Sequence, residues 1–149
     1  MSLALAADFR IAARSAKLIG GWGRLGFSGD FGGTWLLSRM VGPARALEFL
    51  IDNTVIDSER ALSLGLFNRV VPDEELHAAA LAWATEIAAG PRVAHQFFKE
   101  NVRQAEHLPL GEHLPLEGER MAQSVMTDDH REAFKRWMEE AAAKRATPH

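Results

Sequence analysis

The stretch from Gly20 to Gly42, GGWGRLGFSGDFGGTWLLSRMVG, constrains this chain more than any other. It opens with glycines that hold one tryptophan and one arginine. It then sets a single acid, Asp30, inside Gly29-Asp30-Phe31-Gly32-Gly33, and from Thr34 turns apolar at helical spacing through Trp35, Leu36, Leu37, Met40 and Val41. Glycine adopts positive φ and lets other groups approach the backbone closely. The stretch therefore predicts an extended segment, a tight loop and a helix starting near Gly32 to Thr34. A helix N-terminus offers unpaired N–H groups and a dipole that favours negative charge. Two readings of Asp30 follow. In one, the acid presents its carboxylate to a ligand. In the other, it is a turn and capping residue, and the glycines only shape the turn.

Taken in order, the rest of the chain reads as an α/β front and a helical back. Ser2 is a candidate N-cap for a short apolar helix over 3–7. Phe9 to Ala12 alternates and predicts a strand, Arg14 to Ala16 a turn, and Lys17 to Ile19 a second strand. Gly42-Pro43 stops the glycine-loop helix, and Pro43 suits the first turn of a helix over 44–50 with Ala46, Leu47 and Leu50 on one face. Asp57 or Ser58 caps a helix closed by Gly65, and Leu66 to Val71 predicts a strand ended by Pro72. From Asp73 the period is 3.6 throughout. Asp73 caps a helix carrying Leu76, Ala79, Ala80, Trp83 and Ile87, which ends at Gly90-Pro91. Further helices are expected over 92–104 and 116–126, with an irregular stretch between Pro109 and Pro115. A last helix, capped by Asp128, carries Phe134, Trp137 and Met138, and leaves a tail from Ala146 to His149. Strands are thus expected only before residue 72. So few strands leave edges that another part of the molecule must cover.

Composition excludes several classes. A chain of 149 residues with 47% hydrophobic and 25% charged residues is long enough for a core and ordinary for a globular protein. A net charge of −3 gives no basic footprint for nucleic acid. With no cysteine there is no disulfide framework, and the six scattered histidines form no H-x-x-x-H pair, so no metal site is expected. No apolar run reaches the ~20 residues of a membrane span, and no signal peptide is evident, so a cytoplasmic location is expected.

The glycine stretch resembles the crotonase (enoyl-CoA hydratase/isomerase) superfamily, whose members carry a G-x-x-(P or x)-(D/G)-x-G-G-T segment followed by a helix ending in a V-G turn. Ser2 to Ala13, SLALAADFRIAA, is similar to the family's helix and D-x-R-I-A strand. Ala61 to Val71, ALSLGLFNRVV, resembles its A-x-x-x-G-L-V-x-x-V-V segment, and Thr127 to Arg145 its closing D-x-x-E helix. The match runs in order over nearly all of the chain and corresponds to the family's second half. It implies the C-terminal part of a ββα spiral over residues 1–72, followed by an all-helical trimerisation region over 73–149. It also implies that the family's two oxyanion-hole N–H groups belong to an upstream half not found in these residues. A bare 149-residue chain is then expected to show no turnover.

The family stabilises an enolate-like oxyanion of an acyl-CoA thioester with aimed N–H donors. The resemblance places the hydratases' two glutamates at Ser2 and Trp22, neither an acid or base of the strength that hydration needs. Asp30 falls where family isomerases and arylacyl-CoA dehalogenases carry an acid. In the dehalogenases, a tryptophan eight residues earlier hydrogen-bonds that acid, and Trp22 stands at the same separation here. Indole N–H only donates, so it orients a carboxylate without taking its proton. Trp22 reads equally as a core aromatic. Arg24 faces the CoA phosphates, pairs with Asp30 or is a surface charge. Phe27, Phe31 and Trp35 line an acyl pocket or pack in the core. The basic residues of the last helix, such as Lys135, Arg136, Lys144 and Arg145, are solvated surface by default.

Two functions stand open from the sequence. One is an acyl-CoA lyase or isomerase of the fatty-acid type, in which Asp30 is the acid/base or nucleophile, CoA enters as part of the thioester substrate, and no other cofactor is needed. The other is a non-catalytic family member that serves as an assembly or interaction module. In either case the apolar residues of the last two helices imply a homo-oligomer, which the resemblance makes a trimer or a dimer of trimers.

Overall fold

A computed structural model describes residues 1–146; the expected tail from residue 147 on lies outside the described residues. The chain divides into two compact units, Met1–Ala82 and the residues from Trp83 onward.

In the first unit, α1 (Ser2–Leu5) leads to β1 (Ile11–Ala13) and β2 (Lys17–Ile19). The glycine loop then makes a 3₁₀ turn at Gly23–Leu25 and delivers the chain to α2 (Gly33–Val41). Next come α3 (Pro43–Asp52), β3 (Val55–Asp57), α4 (Ser58–Ser63) and β4 (Arg69–Val71). The strands form two pairs. β1 runs parallel to β4 with Ala12 opposite Val70, and β2 runs antiparallel to β3 with Leu18 opposite Ile56. The core is built from Leu5, Leu18, Leu37, Phe49, Leu66 and Phe67 with small alanines between them, at most 8% exposed. Arg10 ties the start to the end of this unit. Its Nε donates to the Leu66 carbonyl at 2.6 Å, while Asn68 Oδ1 accepts from the Arg10 amide at 2.8 Å. Partial burial lowers the Arg10 pKa, and Asp8 opposes that shift.

Several expectations need correction. Ser2 does not cap α1. It lies inside the helix with its hydroxyl directed elsewhere. The first strand starts at Ile11 rather than Phe9, because Arg10 spends its backbone on the Asn68 loop. The strand expected over 66–71 is only Arg69–Val71, since Leu66 and Phe67 turn into the core. On α3 the buried face runs through Ala46 and Phe49, while Leu47 is exposed. β3 was not anticipated. Asn53 takes a left-handed conformation after α3, and the β-branched pair Val55-Ile56 then extends along β2. Asp57 caps α4 as expected, accepting from the Arg60 amide at 2.8 Å.

After Val71 the described residues contain helices and no strand, as the change of period predicts. A 3₁₀ turn at Asp73–Glu75 precedes α5 (Leu76–Ala88), which runs across the division between the units and keeps its expected stripe half-buried. Asp73 is not a cap. Its carboxylate accepts from the Ser15 amide at 3.0 Å and from the Ser15 hydroxyl, and these bonds hold its pKa below the usual carboxylate range.

The second unit holds α6 (Arg92–Ala105), α7 (Leu110–Val125) and α8 (Asp128–Ala146). The irregular stretch between the prolines is helical. Pro109 sits just outside α7 and Pro115 inside it. A proline inside a helix has no N–H for the carbonyl four residues back, here that of Gly111. The α8 cap is Thr127 rather than Asp128, its hydroxyl accepting from the His130 amide at 3.2 Å. Polar bonds knit α6 to α7. One Arg120 guanidinium nitrogen reaches Asn101 Oδ1 at 2.6 Å and Gln104 Oε1 at 2.8 Å. No described helix is long and apolar enough to cross a membrane.

Candidate functional site

The glycine loop meets α1 and α2 at one point. Asp30 opens a tight turn in which its carbonyl accepts from the Gly33 amide at 2.8 Å. The two central residues, Phe31 and Gly32, have φ of 44° and 74°. Positive φ at both central positions defines the mirror-image turn, in which glycine is at ease and phenylalanine is strained. This turn frees the Asp30 side chain from the helix end. Gly32 caps α2 without a side-chain bond, so Asp30 is a turn residue whose carboxylate does no capping. That carboxylate accepts instead from the Ser2 hydroxyl at 3.3 Å.

Gly33 explains how three elements come so close. A Cβ there would lie 2.5 Å from Ser2 Oγ and 2.5 Å from Trp22 Cη2. Glycine is required by contact rather than by its own φ. Leu5 at 1% and Leu37 at 1% exposure anchor α1 and α2 in the core on either side of this junction.

Two clefts flank the junction. The smaller, about 280 Å³, is lined by Ser2, Ile19, Gly20, Trp22, Asp30 and Phe31, with Met1 and Leu3 at its edge. Among the described residues Asp30 is the only carboxylate in that lining. The larger, about 570 Å³, is mostly apolar, with Phe27, Leu47, Leu50 and Ile51 among its walls and Ser28, Thr34 and Ser38 supplying hydroxyls. Trp22 borders both clefts. The smaller cleft holds the reactive group and is the candidate site, although the larger has more room for an apolar ligand.

The candidate residues therefore separate. Asp30, Trp22 and Phe31 share the smaller cleft, and Phe27 lines the larger. Trp35 borders neither. It is half-exposed, with the Arg39 guanidinium 4.2 Å above its ring. Arg24 is also outside both linings, exposed, with its backbone N–H on Asn53 Oδ1 at 3.3 Å. Among the described residues the hydroxyl of Ser2, not the indole of Trp22, hydrogen-bonds Asp30. Ser2 escaped the sequence reading as a site residue. The available signal was the expectation, from the family resemblance, that Ser2 and Trp22 stand where hydratases carry their two glutamates; the structure places both in the lining of one cleft. No group of three or more acids or histidines able to hold a metal ion occurs among the described residues.

The family model of enoyl-CoA hydratase/isomerase matches residues 1–145. A 1,2-epoxyphenylacetyl-CoA isomerase of Escherichia coli (strain K12) is 36% identical over 131 residues, covering 88% of this chain and 50% of the relative. Among solved structures, an enoyl-CoA hydratase from Polaromonas sp. JS666 superposes with a TM-score of 0.88 at 29% identity, covering 93% of this chain and 54% of that one. A Thermobifida fusca YX protein solved in complex with CoA gives a TM-score of 0.79 at 34% identity, covering 83% and 48%. The chain spans about half the length of the curated relatives it matches, 50% in the case of the Escherichia coli isomerase.

Proposed function

We propose that the protein acts on acyl-CoA thioesters, since the chain belongs to the enoyl-CoA hydratase/isomerase family, and that Asp30 performs the proton-transfer or nucleophilic step. One observation carries the choice of residue: among the described residues Asp30 is the only carboxylate lining the cleft that Ser2 and Trp22 also line. Those two residues cannot serve as the acid and base of a hydration. As a base, Asp30 takes the proton from the carbon next to the thioester carbonyl, and the C–H electron pair moves into the enolate. Returning the proton to another carbon shifts the double bond, which is isomerisation. As a nucleophile, one carboxylate oxygen bonds to the substrate carbon, the leaving group departs with its electron pair, and water later cleaves the ester. Trp22, in the wall of the same cleft and without a bond to Asp30 among the described residues, orients the acid once substrate is bound. The apolar larger cleft, with Phe27 in its wall, takes the acyl portion, and Phe31 closes over the smaller one. CoA enters as part of the substrate, which the CoA complex of the Thermobifida fusca relative supports.

We also propose that the protein is a homo-oligomer, a trimer or a dimer of trimers. Among the described residues the buried side chains after residue 82 are polar, Asn101 and His113, while Phe98, Met121, Phe134 and Trp137 are exposed. Large exposed apolar surface marks interfaces.

The test of the chemistry is Asp30→Asn in the natively expressed polypeptide that carries these residues, assayed with crotonyl-CoA, a 3-enoyl-CoA and an aryl-CoA. Asparagine keeps the shape and removes both the base and the nucleophile. A fall in kcat of roughly 10²–10⁴, the range for a positioned acid–base group, with thioester affinity little changed, is the expected outcome. Undiminished activity would return Asp30 to the role of a turn residue. A native protein that neither turns over nor binds any of the thioesters would establish the assembly-module reading instead.

A further inference from the structure

We propose that Ser2 is a positioning residue for Asp30, a role that rests on the reading of Asp30 as the acting acid. The Ser2 hydroxyl donates to Asp30 Oδ1 at 3.3 Å across 28 residues of sequence. Among the described residues the other oxygen, Oδ2, has no protein partner and is available to substrate. The two groups are unlike in their surroundings. Asp30 is exposed on a loop, where an unrestrained carboxylate would exchange rotamers freely. Ser2 is only 5% exposed on a helix fixed by the Ala6 amide on its carbonyl at 3.1 Å and by Leu5 in the core. A buried donor thus holds an exposed acceptor.

A purely structural serine would look different. Serines within helices commonly satisfy their hydroxyl on the carbonyl four residues back, whereas the Ser2 hydroxyl is directed out of its helix to the glycine loop. Its one side-chain partner among the described residues is Asp30. The space for that bond depends on the missing side chain of Gly33, whose Cβ would fall 2.5 Å from Ser2 Oγ. A separation of 3.3 Å is long for a hydroxyl–oxygen bond, and the role of Ser2 requires that it shorten when substrate fills the cleft, as catalytic hydrogen bonds often do. Ser2 therefore supplies geometry, not a proton, and its loss lowers turnover without weakening binding.

The experiment is a double-mutant cycle of Ser2→Ala and Asp30→Asn in the natively expressed polypeptide. It is read as single-turnover rate, kcat and KM on whichever of the three thioesters reacts fastest, with thermal melting alongside. Expected results are a fall of about tenfold in kcat for Ser2→Ala, little change in KM or melting temperature, and no further loss when Ser2→Ala is added to Asp30→Asn. Normal kcat in Ser2→Ala, with Asp30→Asn impaired, would overturn the role of Ser2 while leaving Asp30 in place. The same tenfold loss in both backgrounds, or a loss that tracks a lower melting temperature, would make Ser2 merely structural. Normal kcat in Asp30→Asn, or no turnover by the unmodified protein, would remove the underlying reading and this one with it.

Discussion

Gly33 has two neighbours that leave it no side chain. Adding a Cβ requires Ser2 Oγ and Trp22 Cη2, each 2.5 Å from the new atom, to give way together. Neither is the free end of a flexible chain. Gly33→Ala is expected to destabilise the fold by about 1–3 kcal/mol, the usual cost of overpacking, measured by urea unfolding; an unchanged midpoint would mean that the junction is looser than its geometry. Trp22→Phe should cost less turnover than Asp30→Asn, because it leaves the carboxylate in place. Asp73 gives a pH prediction. Its folded pKa is depressed, first by the Ser15 hydroxyl and then by the Ser15 amide. It therefore contributes stability that is present above the unfolded aspartate pKa and is lost as pH falls through the folded value. Ser15→Ala should flatten the acid limb of a stability–pH profile and leave stability near neutrality closer to that at low pH; an unaltered limb would remove Asp73 from acid unfolding. At this scale the sequence displays Asp30 and its spacing from Trp22 plainly. It does not display Ser2, whose partner is chosen by how α1 lies against the loop.

Elements follow their local signals where those signals act alone. α2 begins and ends where glycine and proline place it, and Asp57 caps α4, because those residues act on their own backbone. Signals that tertiary partners compete for go astray. Asp73 has capping chemistry but a better donor in Ser15, and Thr127 displaces Asp128 as the α8 cap. β3 is too short to show a period and exists because β2 is there to pair with it. Pro115 ordinarily marks a boundary, yet α7 continues through it from Leu110 to Val125. The helix still lacks the bond to the Gly111 carbonyl. Pro115→Ala is therefore expected to stabilise the protein by about 1–3 kcal/mol, read as a higher urea midpoint. A lower midpoint would show that the proline fixes a bend that the packing needs.

Across the whole molecule the two units differ in how they bury apolar surface. The buried apolar side chains among the described residues run from Leu5 to Phe67, all in the first unit. The helices after residue 82 keep Phe134 and Trp137 more than half exposed. Their helical period was legible in the sequence, but period does not say whether a stripe meets the same chain or a second copy. Light scattering at micromolar concentration should give a multiple of the protomer mass, and Trp137→Glu should reduce it; a sharp protomer mass in the unmodified protein would contradict the assembly. The central claim is that the protein forms a thioester enolate with the help of Asp30. The most direct measurement is exchange of the proton next to the thioester carbonyl, followed by NMR in D₂O with 3-enoyl-, crotonyl- and arylacetyl-CoA and the natively expressed polypeptide. The account predicts deuterium incorporation at that carbon, lost in Asp30→Asn. Thioester binding with neither exchange above the buffer rate nor hydrolytic turnover in any of the three, or equal exchange in Asp30→Asn, would contradict it.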